Sequence, residues 1–186
     1  MAQATVTIEG TSALLMKKYP TVPIEGFDKK EPQEQAELSA YRIPGSKELY
    51  IPGVAVQRAL VKAATYSKGK GRASLQKVSA ACLMVLPEYI GLGTDKFTLD
   101  SRPVVIPATK GRIMRHRPRI DKWRGSFGLE WDETLMSEEQ VKKIVEDMGK
   151  RVGLLEFRPS CNGPYGRSKI VKWEKEPTKA KAKRSY

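Results

Sequence analysis

Residues 3–9 place Val6 and Ile8 at alternate positions with polar neighbours between them, so the chain opens on a β-strand. The apolar run Gly10–Met16 follows, and then all periodicity disappears from Lys17 to Lys47. That stretch holds Pro20, Pro23, Pro32, Pro44, Gly26 and Gly45, with one short helix expected from Pro32 as its first turn. A short extended piece at Leu49–Ile51 leads into a helix over Gly53–Tyr66. Its stripe of Val56, Ala59, Leu60 and Ala63 faces the core and leaves Arg58 and Lys62 off that face. The unbroken apolar run Ala80–Leu86 predicts a central strand covered on both faces. Phe97 and Leu99 mark a further strand, and Val104–Ile106 leads into an arm.

The clearest alternation comes next. Trp123, Gly125, Phe127, Leu129 and Trp131 share one parity, while Lys122, Arg124, Ser126 and Glu130 share the other. Ser137 and Gln140 have the spacing of a capping box, and Met136 and Val141 that of a hydrophobic staple. They start a helix whose stripe is Val141, Ile144, Val145 and Met148, with Gly149 as its stop and an acidic outer face. Leu154, Leu155 and Phe157 turn inward, a glycine-rich turn follows, and Lys169–Glu174 reads as the last strand. Without insertions the order is strand, helix, strand, strand, helix, strand. This predicts an α+β fold with a ferredoxin-like, RRM-like (βαββαβ) core and an inserted basic β-hairpin arm. Residues 1–176 form one domain with insertions at 17–48 and 67–121, and residues 177–186 form a basic tail. An aromatic RNP signature is absent, so base stacking on the sheet is not implied.

Charge sharpens this picture. The formal net charge is +13, and its excess is confined to two segments: residues 49–128 carry +11 and residues 151–186 carry +7, against −1 for residues 1–48 and −4 for residues 129–150. Such confinement marks an electrostatic footprint for a polyanion. Its centre is Lys110–Arg124, where Lys110, Arg112, Arg115, Arg117, Arg119, Lys122 and Arg124 face one acid, Asp121. The preponderance of arginine suits bidentate phosphate recognition. A second basic loop carries Lys68, Lys70, Arg72 and Lys77; it lacks the spacing of a P-loop and follows a helix instead of preceding one. In the terminal turn, Gly163 and Gly166 allow backbone to approach a ligand, with Tyr165 and Arg167 beside them. An ordinary turn would need the same glycines.

Catalysis finds little support. Two cysteines and one histidine give no zinc spacing, and Asp95, Asp100 and Asp121 form no two-metal cluster, so no cofactor or metal is expected. His116 among arginines is the one candidate general base, for a metal-independent RNA endonuclease. No apolar run approaches the length of a membrane span and no signal-peptide pattern appears, so a cytoplasmic protein (host cytoplasm, if phage-encoded) without a membrane partner is expected. The expected activity is sequence-tolerant binding of single-stranded RNA or DNA. A ribosome-associated RNA-binding protein is the alternative.

Three features together, IEGTSALLM near the start, VGLLEFRPSCNGPYGRSKIVKW near the end, and the basic arm between them, resemble the RAMP superfamily. The likeness is to its guide-RNA-coating backbone subunits in CRISPR effector complexes and to small phage-encoded proteins of similar layout. The resemblance implies an RRM-like core, a thumb-like arm around Val104–Asp121, and homo-oligomers that run head-to-tail along a single strand as a filament. Some RAMP relatives cleave RNA with a histidine, which is what gives His116 its interest.

Overall fold

A computed structural model describes residues 1–69, 73–106 and 108–176. In chain order the elements are β1 (Ala2–Gly10), β2 (Leu14–Leu15), α1 (Pro32–Leu38), β3 (Tyr50–Pro52), α2 (Gly53–Ala63), α3 (Gln76–Cys82), β4 (Met84–Leu86), β5 (Tyr89–Gly91), β6 (Thr98–Val105), β7 (Arg112–Ile120), β8 (Arg124–Trp131), α4 (Glu138–Asp147) and β9 (Ser168–Lys175). The fold is mixed α and β, with antiparallel sheets.

The main sheet runs β4-β8-β1-β9, and every neighbouring pair in it is antiparallel. Alternation along its strands sorts the side chains onto two faces. Val6 and Ile8 of β1 meet Phe127, Leu129 and Trp131 of β8 on the inner face, under Val56, Leu60 and Ala63 of α2 and Val141, Ile144 and Val145 of α4. The outer face carries Gln3, Thr5, Thr7 and Glu9 beside Arg124, Ser126 and Glu130, and Thr7 and Ser126 share a 2.8 Å hydrogen bond across the strands. Among the described residues that face has no aromatic side chain.

Local chemistry sets the helix boundaries. Ser137 caps α4 in a capping box with Gln140, and the flanking Met136 and Val141 are both buried. Gly149 does not stop the chain: a π-helical turn continues over Met148–Val152 and ends at Gly153, whose φ of 72° a side chain would resist.

Two expectations are corrected. The run Ala80–Leu86 is not one central strand. Its first half completes α3 and only Met84–Leu86 is extended, at the sheet edge, with Met84 48% and Leu86 42% exposed. A short apolar run does not distinguish a buried strand from a helix that packs on another helix. Gln57 of α2 closes that edge, its amide nitrogen donating to the Leu83 carbonyl (2.9 Å) and its oxygen accepting from the Val85 N–H (3.0 Å). The arm is also longer than Val104–Asp121: β6 pairs β7 in unbroken register from Thr98↔Arg119 to Val105↔Arg112.

Candidate nucleic-acid interface

The hairpin register decides where each arginine points. Asp100 and Arg102 share one face with Arg115, Arg117 and Arg119, whereas Leu99, Ser101, Pro103 and Val105 share the other with Arg112, Met114, His116 and Pro118. The arginine-rich face is turned toward the C-terminal glycine-rich turn. Arg102 lies 5.0 Å and Arg119 5.8 Å from the centre of the Tyr165 ring, and Arg102 Nη2 also donates to the Tyr165 hydroxyl. Asp100, 6% exposed, accepts from Arg102 and raises the affinity of that guanidinium for its proton.

Residues 10–16 tie the two stretches together. Trp123 Nε1 donates to the Ser12 carbonyl at 2.8 Å, and Ser12 Oγ accepts from the Arg167 N–H at 3.0 Å. Gly166 donates its N–H to the Ala13 carbonyl at 2.8 Å, and Met16 donates to the Pro118 carbonyl at 3.0 Å. The glycines of the turn serve this internal packing, as an ordinary turn requires. A Cβ on Gly163 would sit 1.9 Å from the Phe157 carbonyl oxygen, and one on Gly166 would sit 2.1 Å from that of Leu154. Leu155 (φ 58°) and Phe157 (φ 47°) take left-handed backbone on either side of Glu156, a conformation that side chains resist.

Several predicted contacts are already engaged within the chain. Arg115 Nη1 donates to Asp28 at 2.9 Å, Arg119 pairs with Asp121 at 2.7 Å, and Arg124 stands 3.9 Å from Glu9. Arg117 is 7% exposed, lies 3.9 Å from Glu156, and keeps a buried Nε without a hydrogen-bond partner. Arg167 donates to the Lys150 carbonyl at 2.6 Å, so it braces the π-helical turn. His116 Nδ1 is 2.7 Å from Ser101 Oγ. Lys110 and Arg112 at the hairpin tip and Lys122 at its base are exposed. Lys122, Arg119 and Arg124 line a broad groove of about 910 Å³ with Lys96 and Phe97. Of the second basic loop, Lys70 and Arg72 lie outside the described residues, while Lys68 and Lys77 are exposed beyond the end of α2.

The structure adds cations that periodicity alone had set aside. A cavity of about 520 Å³ opens between the first turns of α2 and residues 152–158, and Lys17, Arg58, Lys62 and Arg158 all line it, with Glu88 and Glu156. None of the four cations forms an ion pair among the described residues, although Arg158 donates to the Leu155 carbonyl at 2.5 Å and to Ser160 Oγ at 3.0 Å. Burial lowers the Lys17 pKa, and the neighbouring Arg115 and Arg117 lower it further against the pull of Glu156. Lys17 also lines a second cavity with Arg115 and Arg117, so the basic lining on the α2 side meets the hairpin at this residue. Arg58 and Lys62 extend it into the α2–α3 groove beside Gln76, the neighbour of Lys77.

No family model matches the chain, and no curated protein sequence does. Among solved structures, a chain of the type III-B Cmr-beta complex bound to cognate target RNA superposes with a TM-score of 0.55 at 12% identity. The likeness is one of fold. It covers 94% of this chain and 60% of that one, so this chain spans under two thirds of its neighbour's length. No described helix is long and apolar enough to cross a membrane, and the described residues hold no cluster of His, Cys, Asp and Glu suited to a metal ion.

Proposed function

We propose that this protein binds single-stranded nucleic acid without reading its sequence, RNA before DNA, as a RAMP-like subunit. The observation that carries the reading is the convergence of Lys17, Arg58, Lys62 and Arg158, none of them ion-paired among the described residues, on one cavity beside the arginine face of the hairpin. Four such charges concentrated in one concave surface attract a polyanion more strongly than the same charges spread apart. The hairpin's own ion pairs do not oppose this, because Asp28 and Asp121 are 74% and 51% exposed and such surface pairs are worth about 0–1 kcal/mol. A phosphate can replace either carboxylate at little cost.

The strand order β4-β8-β1-β9, with α2 and α4 on one face, supports the ferredoxin-like reading of the core. RNA is favoured because the structural neighbour belongs to a complex bound to target RNA. Among the described residues the outer sheet face carries no aromatic side chain, so the strand is assigned to the hairpin and α2 side. Along it, successive copies assemble head-to-tail.

The test is a labelled oligouridylate titrated by fluorescence anisotropy across a salt series, with oligothymidylate as the DNA arm. At about −0.7 per phosphate contact, replacing Arg58, Lys62 and Arg158 together by Gln is expected to flatten the log–log salt slope by about 2 and weaken binding to every sequence alike. Unchanged affinity and slope would remove this surface from the contact and the reading with it.

A further inference from the structure

The 17–30 segment, which carries no periodic pattern, closes a cavity of about 460 Å³ against the arginine face of β7. A volume of that size accommodates a small ligand. Four cations, Lys17, Lys18, Arg115 and Arg117, line it beside the rings of Tyr19 and Phe27 and one carboxylate, Asp28. Arg117 gives the cavity its meaning. It is more than nine-tenths buried, its nearest carboxylate among the described residues lies 3.9 Å away, and its buried Nε has no acceptor among them. A buried donor without a partner is rare in a folded protein and calls for an explanation, of which a bound acceptor is the simplest. Lys17 is likewise held where burial disfavours its charge, a penalty that an anion beside it would offset. Phe27 is half-buried and stands outside the hydrophobic core, and Tyr19 is 79% exposed with the Lys17 ammonium 5.8 Å from its ring centre. Aromatic rings so placed offer flat apolar surface next to concentrated positive charge.

We infer that this cavity is a nucleotide pocket: it takes a nucleoside monophosphate unit, with the phosphate among Lys17, Arg115 and Arg117 and the base against Phe27 and Tyr19. The unit comes from one of two sources, a nucleotide turned out of the bound strand or a free nucleotide, and the chemistry is common to both. The strand source rests on the strand-binding reading above; the pocket itself does not. Asp28 contributes by accepting from Arg115 at 2.9 Å, which fixes that guanidinium at the rim.

The full chain is titrated calorimetrically with adenosine and uridine 5′-monophosphates, the matching nucleosides and inorganic phosphate. Saturable nucleotide binding is expected, with the nucleosides weaker by roughly tenfold or more, since they forgo the charge-assisted contacts. Phe27→Ala is expected to weaken nucleotide binding by about tenfold while leaving phosphate binding unchanged, because stacking acts on the base alone. Lys17→Gln is expected to weaken both. Phe27 lies outside the core, so its truncation leaves the fold intact, and a thermal melt checks this. Equal affinity for nucleoside and nucleotide, an unaffected Phe27→Ala protein, or no saturable binding overturns the pocket. Oligouridylate then assigns the source: displacement of the mononucleotide means the strand fills the pocket, and simultaneous binding means a free nucleotide does. Oligonucleotide binding that survives in a protein without nucleotide binding would refute the pocket alone and leave the strand-binding surface standing.

Discussion

Arg102 of β6 donates to the Tyr165 hydroxyl at 2.6 Å while its guanidinium lies 5.0 Å from the centre of the same ring, so this pair of side chains ties the hairpin to the C-terminal turn. Tyr165→Phe removes the hydrogen bond and keeps the ring, and is expected to cost about 1 kcal/mol in urea unfolding. Arg102→Ala strands the buried Asp100 carboxylate as well and is expected to cost about 2–3 kcal/mol. If Asp100→Asn in the Arg102→Ala background recovers none of that loss, the carboxylate does not depend on the arginine.

Gly166 has a φ of 69°, and a Cβ there would meet the Leu154 carbonyl oxygen at 2.1 Å, a backbone atom with no freedom to yield. Gly166→Ala is therefore expected to destabilise by about 3 kcal/mol or more, combining left-handed strain with a steric clash. A melting temperature within experimental error of the parent would show that the turn can reopen.

Ser137 and Gln140 satisfy two backbone N–H groups at the start of α4. Ser137→Ala is expected to cost about 1 kcal/mol in equilibrium unfolding, without effect on nucleic-acid affinity, since the outer face of α4 is acidic.

His116 is a candidate for chemistry only if its ring meets a phosphate, and its Nδ1 is already 2.7 Å from Ser101 Oγ. We expect labelled single-stranded RNA to remain intact with the protein in EDTA. Products that appear with the parent and vanish with His116→Ala would establish metal-independent cleavage.

Replacing Lys122 and Arg124 by Gln tests the broad groove at the hairpin base independently of α2. Because the strand is assigned to the α2 side, the pair is expected to change the salt slope by less than about 1, against about 2 for the α2 surface. A larger effect would move the strand's path across the hairpin base.

Where the hydrophobic period was long, the sequence located elements closely. The alternation through Trp123–Trp131 and the capped helix after Ser137 both fall where the pattern puts them, because a half-buried strand and an amphipathic helix must each repeat their apolar residues at a fixed spacing. The split of Ala80–Leu86 was not legible, since a run of seven apolar residues has no period to read.

The net charge and its concentration in residues 49–128 and 151–186 can be counted from the sequence alone, and they were enough to name a polyanionic partner class. Which cations are free to meet that partner was decided by tertiary structure. Chain folding brought Asp28 to Arg115 and Glu156 toward Arg117 across long sequence separations, and it gathered Lys17, Arg58, Lys62 and Arg158 around one cavity. Charge is additive along a chain, so it can be counted from residues. Neutralisation and convergence depend on distances of a few ångströms between segments remote in sequence, and only the packed core fixes those.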